Sequence, residues 1–320
     1  MNELEIIGLI RETFASQHPD LLDDVSFERR GREYIVFKTD MFVAKTDLPS
    51  GMTLRQASRK AVVACLSDLL CKGADPWGFM VSMGIPKRLA APKSMRLVTL
   101  GLRDASVEYG VPILGGDVNE ADDLVIDVAM AGSTKRMVRR SGALAGDALL
   151  ATGPFGLTAL GLGHLLKGRP LPRSLATAAL SSVYRPAPKG GLCKRLIEEG
   201  LVNASMDSSD GLAITLNEMA HQSRKEFVIS RLPADRPFVD ACRAAGLDSL
   251  DLVLHGGEEY EAVLSVPGGK VRAAIALART LGGKLYPFGR VQDGDPHVIY
   301  APSGCARPAT VAGVGWVHLR

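Results

Sequence analysis

Residues 133–146, Ser-Thr-Lys-Arg-Met-Val-Arg-Arg-Ser-Gly-Ala-Leu-Ala-Gly, constrain the fold more than any other segment. The run is polar, basic and small, and it breaks the apolar periodicity on both sides. Before it, a helix over 3–15 carries an apolar stripe of Leu4, Ile7, Leu9, Ile10 and Phe14. A strand over 33–43 follows, then a helix over 53–72 stopped by Gly73, a strand over 79–85 and a helix over 92–109 ended by Gly110. Two strands, 111–114 and 124–131, are joined by Gly-Gly-Asp-Val-Asn-Glu-Ala-Asp-Asp. After the break come a strand over 148–152, a Gly-Pro-Phe-Gly turn, a helix near 157–166 and a Pro-rich stretch from Arg169 to Pro188. Helices near 191–198 and from Leu212 to about His221 follow. Mixed elements in both halves predict two domains, an α/β domain over 1–137 and an α+β domain over 138–320. The 320 residues suit two domains of roughly 100–200 residues each.

Composition narrows the function classes. A net charge of +3, spread along the chain with no basic run interleaved with aromatics, predicts no nucleic-acid partner. No stretch approaches the ~20 apolar residues of a membrane span, so no membrane partner is expected. The five cysteines form no CxxC pair, and the acidic, amphipathic start is unlike a signal peptide. Reduced thiols and a cytoplasmic location are the expectation. There is no GxxxxGK[ST] loop, no kinase Gly-loop set and no HExxH, and no Ser–His–Asp arrangement stands out among six histidines.

What recurs instead is aspartate beside glycine or hydroxyl residues at element ends: Asp24, Thr39-Asp40, Asp68, Gly115-Gly116-Asp117 and Asp207-Ser208-Ser209-Asp210. Asp68 shares a helix face with Ala57, Ala61 and Ala64, which lets a backbone or an ion approach closely. A buried carboxylate needs a partner, and a metal is one; an exposed or helix-end aspartate fits the spacing equally well. Gly115-Gly116-Asp117 reads first as a hairpin turn. One residue of Ser208–Asp210 serves as an N-cap, but the polar run is longer than a cap requires, and a helix start with magnesium-holding aspartates would suit a phosphate. The basic pair Arg139-Arg140 reads first as a linker, the turn Thr152–Gly156 as plain turn geometry and Trp316 as core, while a tight turn explains the run His255–Tyr260 as well as ligand contact does.

In order along the chain, KTDMFV, RKAVVACLSDLLCKGADP, YGVPILGGD, RRSGALAGD, LLATGPFG, DSSDGLA, GGEEYE and a late GW resemble thiamine-monophosphate kinases, within the aminoimidazole ribonucleotide synthetase superfamily. The resemblance spans nearly the whole chain. It implies a two-domain aminoimidazole ribonucleotide synthetase-like fold, an α/β domain plus an α+β domain, with homodimers formed through the N-terminal sheet. It implies transfer of the ATP γ-phosphoryl group to thiamine monophosphate, with Mg2+ held by aspartates. By motif it assigns Asp24, Thr39, Asp40, Asp68, Asp117, Asp207 and Asp210 to metal. Tyr109, Gly116, Asp117, Arg140 and Ser209 fall to the nucleotide, and Asp47, Glu258 and Trp316 to the acceptor. The departures are Leu22, where the family's Gly-Asp-Asp has glycine, Lys38, where bacterial members often have a hydroxyl ligand, and Asp47, where many have histidine. They point to an archaeal-type branch. The alternatives are a sibling ATP-dependent enzyme of the superfamily and an inactive nucleotide-binding protein.

Overall fold

The computed structural model describes residues 1–14, 23–302, 304, 307–316, 318 and 319, without the side chain of Leu4. Leu22 therefore lies outside the described residues. The first half runs α1 (Glu3–Phe14), β1 (Ser26–Arg30), β2 (Glu33–Val43), α2 (Ala44–Asp47), α3 (Leu54–Cys71), β3 (Asp75–Ile85), α4 (Pro92–Tyr109), β4 (Ile113–Glu120) and β5 (Val125–Thr134). Its five strands form one sheet in the order β1-β2-β5-β3-β4, antiparallel except for the parallel β3–β4 pair.

The second half runs β6 (Asp147–Ala151), α5 (Leu157–Lys167), α6 (Arg173–Tyr184), α7 (Gly190–Glu198), β7 (Ala204–Ser208), α8 (Leu212–Ser223), β8 (Glu226–Ile229), α9 (Arg236–Ala244), α10 (Ser249–His255), β9 (Glu261–Pro267), α11 (Val271–Thr280), β10 (Tyr286–Gln292), β11 (Val298–Tyr300) and β12 (Ala309–Thr310). Seven strands form its sheet, in the order β12-β11-β8-β10-β6-β9-β7. Among the described residues no helix is long and apolar enough to cross a membrane.

One expectation changes. Gly115, Gly116 and Asp117 are not a turn but part of β4, which pairs in parallel with β3. Every residue of β4 is exposed, so the strand lacks the half-buried alternation that marks a strand in sequence. Gly116 is needed for this pairing, because a Cβ there would lie 2.0 Å from the Val81 carbonyl oxygen. The Pro-rich stretch contains α6.

Helix α3 links the halves. Thr53 caps it in a reciprocal box with Gln56. Along its length Ala57, Ala61, Val62, Leu66 and Leu69 bury against the first sheet's inner face, with Val36, Phe42, Ile126 and Val128. Burying such side chains stabilises the fold by roughly 1.5–3 kcal/mol each. Its last two turns face the edge strand β7 of the other sheet. There Ser67 Oγ donates to Asp207 Oδ2 at 2.7 Å, and Ser205 Oγ donates to the Cys71 carbonyl at 2.7 Å. Polar residues in the last turns of a core helix therefore mark a junction rather than a solvated end.

Candidate active site

At the end of α3 that touches both sheets, acidic side chains from five separate segments meet. Asp68 comes from α3 and is 6% exposed. Successive residues of a strand point to opposite faces, so Lys38 and Asp40 of β2 share the face that looks at α3. Lys38 Nζ lies 2.7 Å from Asp68 Oδ2. Asp23 and Asp24 arrive from the segment before β1, Asp207 from β7, and Asp210 from the turn before α8. The Asp207 carboxyl, which accepts the Ser67 hydroxyl, faces that of Asp68. Arg140, buried in the segment between the sheets, donates its backbone N–H to Asp23 Oδ2 at 3.2 Å and places Nη1 3.3 Å from Asp24 Oδ1.

Six carboxylates thus face three cationic side chains, Lys38, Lys72 and Arg140. The excess is visible in proton affinity. Burial pushes Asp40 up to about 6 against the pull of Lys38. Burial, then the charge of Glu3, pushes Asp210 up to about 6. Asp207 rises well above the usual carboxylate range through burial and the nearby charges of Asp68 and Asp24. Asp24 rises too, burial outweighing Lys72 and Arg140. For Asp23 burial acts in the same sense, but Lys72 wins and its carboxyl titrates low. Oxygen donors with surplus negative charge, Asp68 and Asp207 among them buried, are what a hard divalent cation binds.

A second group adjoins the first. The run 256–260 bends sharply, with Glu258 and Tyr260 at φ 63° and 52°, a left-handed conformation that strains residues with a side chain. The bend is held by the Glu258 N–H, which donates to the Ser209 carbonyl at 2.5 Å, and by the Tyr260 N–H, which donates to the Ser208 carbonyl at 2.9 Å. It turns the Glu258 carboxylate onto Lys60 of α3, whose side chain is almost fully buried. Lys60 Nζ also donates to the Asp47 carbonyl at 3.3 Å. Trp316, 47% exposed, donates its backbone N–H to the Asp210 carbonyl at 3.0 Å. Glu3 accepts from the His318 N–H at 2.9 Å, so α1 and the C-terminal segment meet beside Asp210.

Asp24, Asp40, Asp68, Asp207, Asp210, Ser209 and Arg140 therefore come together, with Glu258 and Trp316 next to Ser209 and Asp210. Asp47 reaches this region by its carbonyl, while its carboxylate Oδ2 accepts the Val43 N–H at 2.7 Å. Four residues stand elsewhere. Thr39 is on the outer face of the first sheet, where its Oγ1 donates to Asp127 Oδ1 at 2.8 Å. Asp117 shares that outer face, in register with Ser82, which in turn pairs with Asp127. Gly116 lies in the same edge strand. Tyr109 ends α4 beside Arg59, whose Nη2 donates to its hydroxyl at 3.4 Å. Arg59 precedes Asp68 by about two and a half turns of α3, or roughly 13 Å of helix.

Sequence reasoning missed Lys60, Lys72 and Glu259. Lysines inside a helix read as a solvated face, and nothing in the spacing marks these two as buried. For Glu259 a signal existed. Two consecutive acids after Gly-Gly cannot both face one ligand, and its carboxylate turns away from the cluster onto the start of α5, where Oε1 accepts the Gly156 N–H at 2.7 Å and Oε2 the Thr158 hydroxyl at 2.8 Å.

The AIR synthase related protein N-terminal domain matches residues 23–134 and the corresponding C-terminal domain residues 145–301. The chain is 34% identical to the thiamine-monophosphate kinase of Nitrosopumilus maritimus, covering 100% of this chain and 99% of the relative. It is 31% identical to that of Pyrococcus horikoshii, covering 100% and 97%. The fold superposes on a solved structure described as AaThiL complexed with AMPPCP and TMP, with a TM-score of 0.83 at 23% identity, covering 97% of this chain and 96% of that one.

Proposed function

The chain belongs to the thiamine-monophosphate kinases of the AIR synthase related family, and we propose that its carboxylate cluster is where the γ-phosphoryl group of ATP passes to thiamine monophosphate, giving thiamine diphosphate and ADP. The observation that carries this reading is the convergence of Asp40, Asp68, Asp207 and Asp210 from β2, α3, β7 and the α8 turn.

Two phosphorylated molecules repel each other, and the acidic cluster by itself would repel both. The donor set fits Mg2+: oxygen ligands only, with more negative charge than the protein neutralises. Asp40, Asp68, Asp207 and Asp210 would hold it. Bound there, Mg2+ supplies charge neutralisation and polarisation of the phosphoryl oxygens.

The chain's own residues do the rest. The N-terminus of α8 and Ser209 offer donors to phosphate oxygens. Arg140 carries permanent positive charge at the wall of the cluster. Lys60 fixes the Glu258 carboxylate beside Ser209, and half-exposed Trp316 offers an aromatic face for the organic part of the acceptor. The acceptor is itself a phosphate, largely ionised near neutral pH, so no general base is required. Catalysis is positioning plus electrostatic stabilisation, with direct in-line transfer and no phosphoenzyme.

Three further readings complete the proposal. The domains divide between residues 137 and 138, within the segment separating the two family matches. The protein is cytoplasmic. It is a homodimer through the outer face of the first sheet, where Phe37, Met41, Met80 and Leu114 are exposed together; a contiguous apolar face of this kind marks an interface. Light scattering of Met80→Asp with Leu114→Asp is expected to give monomers.

The test of the reaction is ADP release across a panel of phosphorylated acceptors. Thiamine monophosphate is expected to stimulate it and product thiamine diphosphate to accumulate. ATP binding without acceptor-dependent ADP release would overturn the kinase reading. A phosphorylated protein trapped in a single turnover would overturn direct transfer.

A further inference from the structure

Lys72 is the largest fully buried side chain of the molecule's described residues, with no solvent exposure, and it ends inside an acidic cluster. Its Nζ lies 2.7 Å from Asp23 Oδ1, 2.7 Å from Asp24 Oδ2 and 2.6 Å from the Ser205 carbonyl oxygen. An ammonium has three N–H donors, and here three oxygens surround it. The contacts to Asp23 and Ser205 are hydrogen bonds, and the contact to Asp24 is an ion pair without hydrogen-bond alignment.

We propose that the Lys72 ammonium is a built-in cation filling the Asp23–Asp24 corner of the cluster, so that Asp24 is its partner and not a ligand of a divalent ion. The carboxylate oxygens of this corner are already engaged. Asp23 Oδ1 meets Lys72 and also accepts the Asp24 N–H at 2.9 Å, while Asp23 Oδ2 accepts the Arg140 N–H. Asp24 Oδ1 faces Arg140 and Asp24 Oδ2 faces Lys72. Mg2+ binds oxygen at roughly 2.0–2.1 Å. An ion on Asp24 Oδ2 would share that oxygen with the ammonium and meet its full repulsion in a buried site.

One other arrangement exists at this corner: Asp24, Cys71 and Asp207 present ligand atoms within 4.8 Å of one another. It is poorly suited to Mg2+. Sulfur is a soft donor, and the Cys71 Sγ is already engaged with the Asp68 carbonyl at 3.1 Å. A fixed ammonium serves the site differently from an exchangeable ion. It neutralises the corner at all metal concentrations, and it ties the segment before β1, the end of α3 and strand β7 to one point. The exchangeable ions are left to Asp40, Asp68, Asp207 and Asp210. In this contrast the inference rests on the metal reading above; the Lys72 contacts stand without it.

The test counts bound Mn2+ on the full chain by electron paramagnetic resonance, with a non-hydrolysable ATP analogue present. Asp24→Asn is expected to bind as many ions as the wild type. Lys72→Met is expected to gain one, and to lose it again in the double variant with Asp24→Asn. Its melting temperature, lowered in EDTA, is expected to recover several degrees with Mg2+. Loss of one ion in Asp24→Asn, with Lys72 present, overturns the proposal, as does an unchanged count in Lys72→Met. Should Lys72→Met fail to fold, Asp24→Asn decides alone, because it keeps the side chain's shape and an acceptor oxygen. A wild type that binds no Mn2+ would sink the metal reading, whereas a gain of one ion in Lys72→Met would still support the lysine.

Discussion

Two strand-to-helix turns in the second half look alike in sequence and are used in opposite ways. Strand β6 runs through Thr152-Gly-Pro-Phe-Gly156 into α5, and strand β7 through Ser208-Ser-Asp-Gly211 into α8. Each turn presents the positive end of a helix, the usual place for a phosphate. At α5 the place is taken by the protein itself, since the Glu259 carboxylate accepts from Gly156 and Thr158. Phe155, the aromatic of that turn, is buried at 1% exposure, and its N–H donates to the Pro233 carbonyl at 2.8 Å. At α8 no such internal anion caps the helix among the described residues, and the turn brings more acids instead. Its associated aromatic, Trp316, stays half exposed. A glycine-rich turn before a helix thus says where an anion would sit, and the neighbouring side chains decide whether the anion is the protein's own.

The comparison breaks first at the α8 turn. Asp210→Asn and Asp68→Asn are expected to lower turnover by about 10³-fold or more, the scale of losing a preorganised electrostatic group. Far-ultraviolet circular dichroism and melting should stay close to wild type. Full activity of either variant at saturating Mg2+ would remove the distinction between the turns.

At the α5 turn the expected damage is to stability. Glu259→Ala leaves the Gly156 N–H and the Thr158 hydroxyl without their acceptor, at a cost of about 1–3 kcal/mol. Urea unfolding should show the loss, and phosphate or sulfate should recover part of it by occupying the vacated helix start. Activity per folded molecule should hold. A turnover defect as large as that of Asp210→Asn would mean that both turns serve the substrate.

The carboxyls behind the α5 turn also set a pH dependence. Burial pushes both Glu259 and Glu261 up to about 7, although each accepts hydrogen bonds, including one from the Thr152 hydroxyl to Glu261 at 2.6 Å. A folded-state pKa above the unfolded value of about 4.3 means that the folded chain holds these protons more tightly. As pH rises from about 4.5 to about 7 the unfolded chain releases its protons first, so the contribution of these groups to stability falls and then levels off. Glu261→Gln should flatten that part of the stability–pH curve, by on the order of 3 kcal/mol at most. An unaltered slope would show that Glu261 is ionised throughout.

Much of the site was legible because its acids lie at element ends beside glycine or serine, where a packing role is least economical. The order of segments added what spacing alone could not, since no pair of the aspartates in β2, α3 and β7 is close in sequence. The face of each residue was partly legible. In Lys38-Thr39-Asp40 strand alternation alone puts Thr39 opposite its neighbours, and the structure has it bonded to Asp127 on the outer face. Strand β4 was hidden because an edge strand with both faces exposed has no buried set to alternate. Lys60 and Lys72 were hidden for a different reason. Their partners, Glu258, Asp23 and Asp24, arrive from distant segments, and a lysine in a helix carries no local sign of such a meeting.

The smallest expected effect concerns the two aromatics. Phe155 is core, and truncating it would cost folding energy whatever the substrate. Trp316 is held through its backbone, by the bond to the Asp210 carbonyl, so Trp316→Ala keeps that bond and removes mainly an exposed ring. Melting should change little. If the ring stacks on the organic part of the acceptor, its loss is worth roughly 1 kcal/mol, the scale of an aromatic pair beyond simple burial. The KM for thiamine monophosphate should then rise about five-fold, while the KM for ATP and kcat hold. An equal rise in both KM values would place Trp316 at the phosphates or make it a support for the α8 turn, and would move acceptor recognition to Glu258 and Lys60 alone.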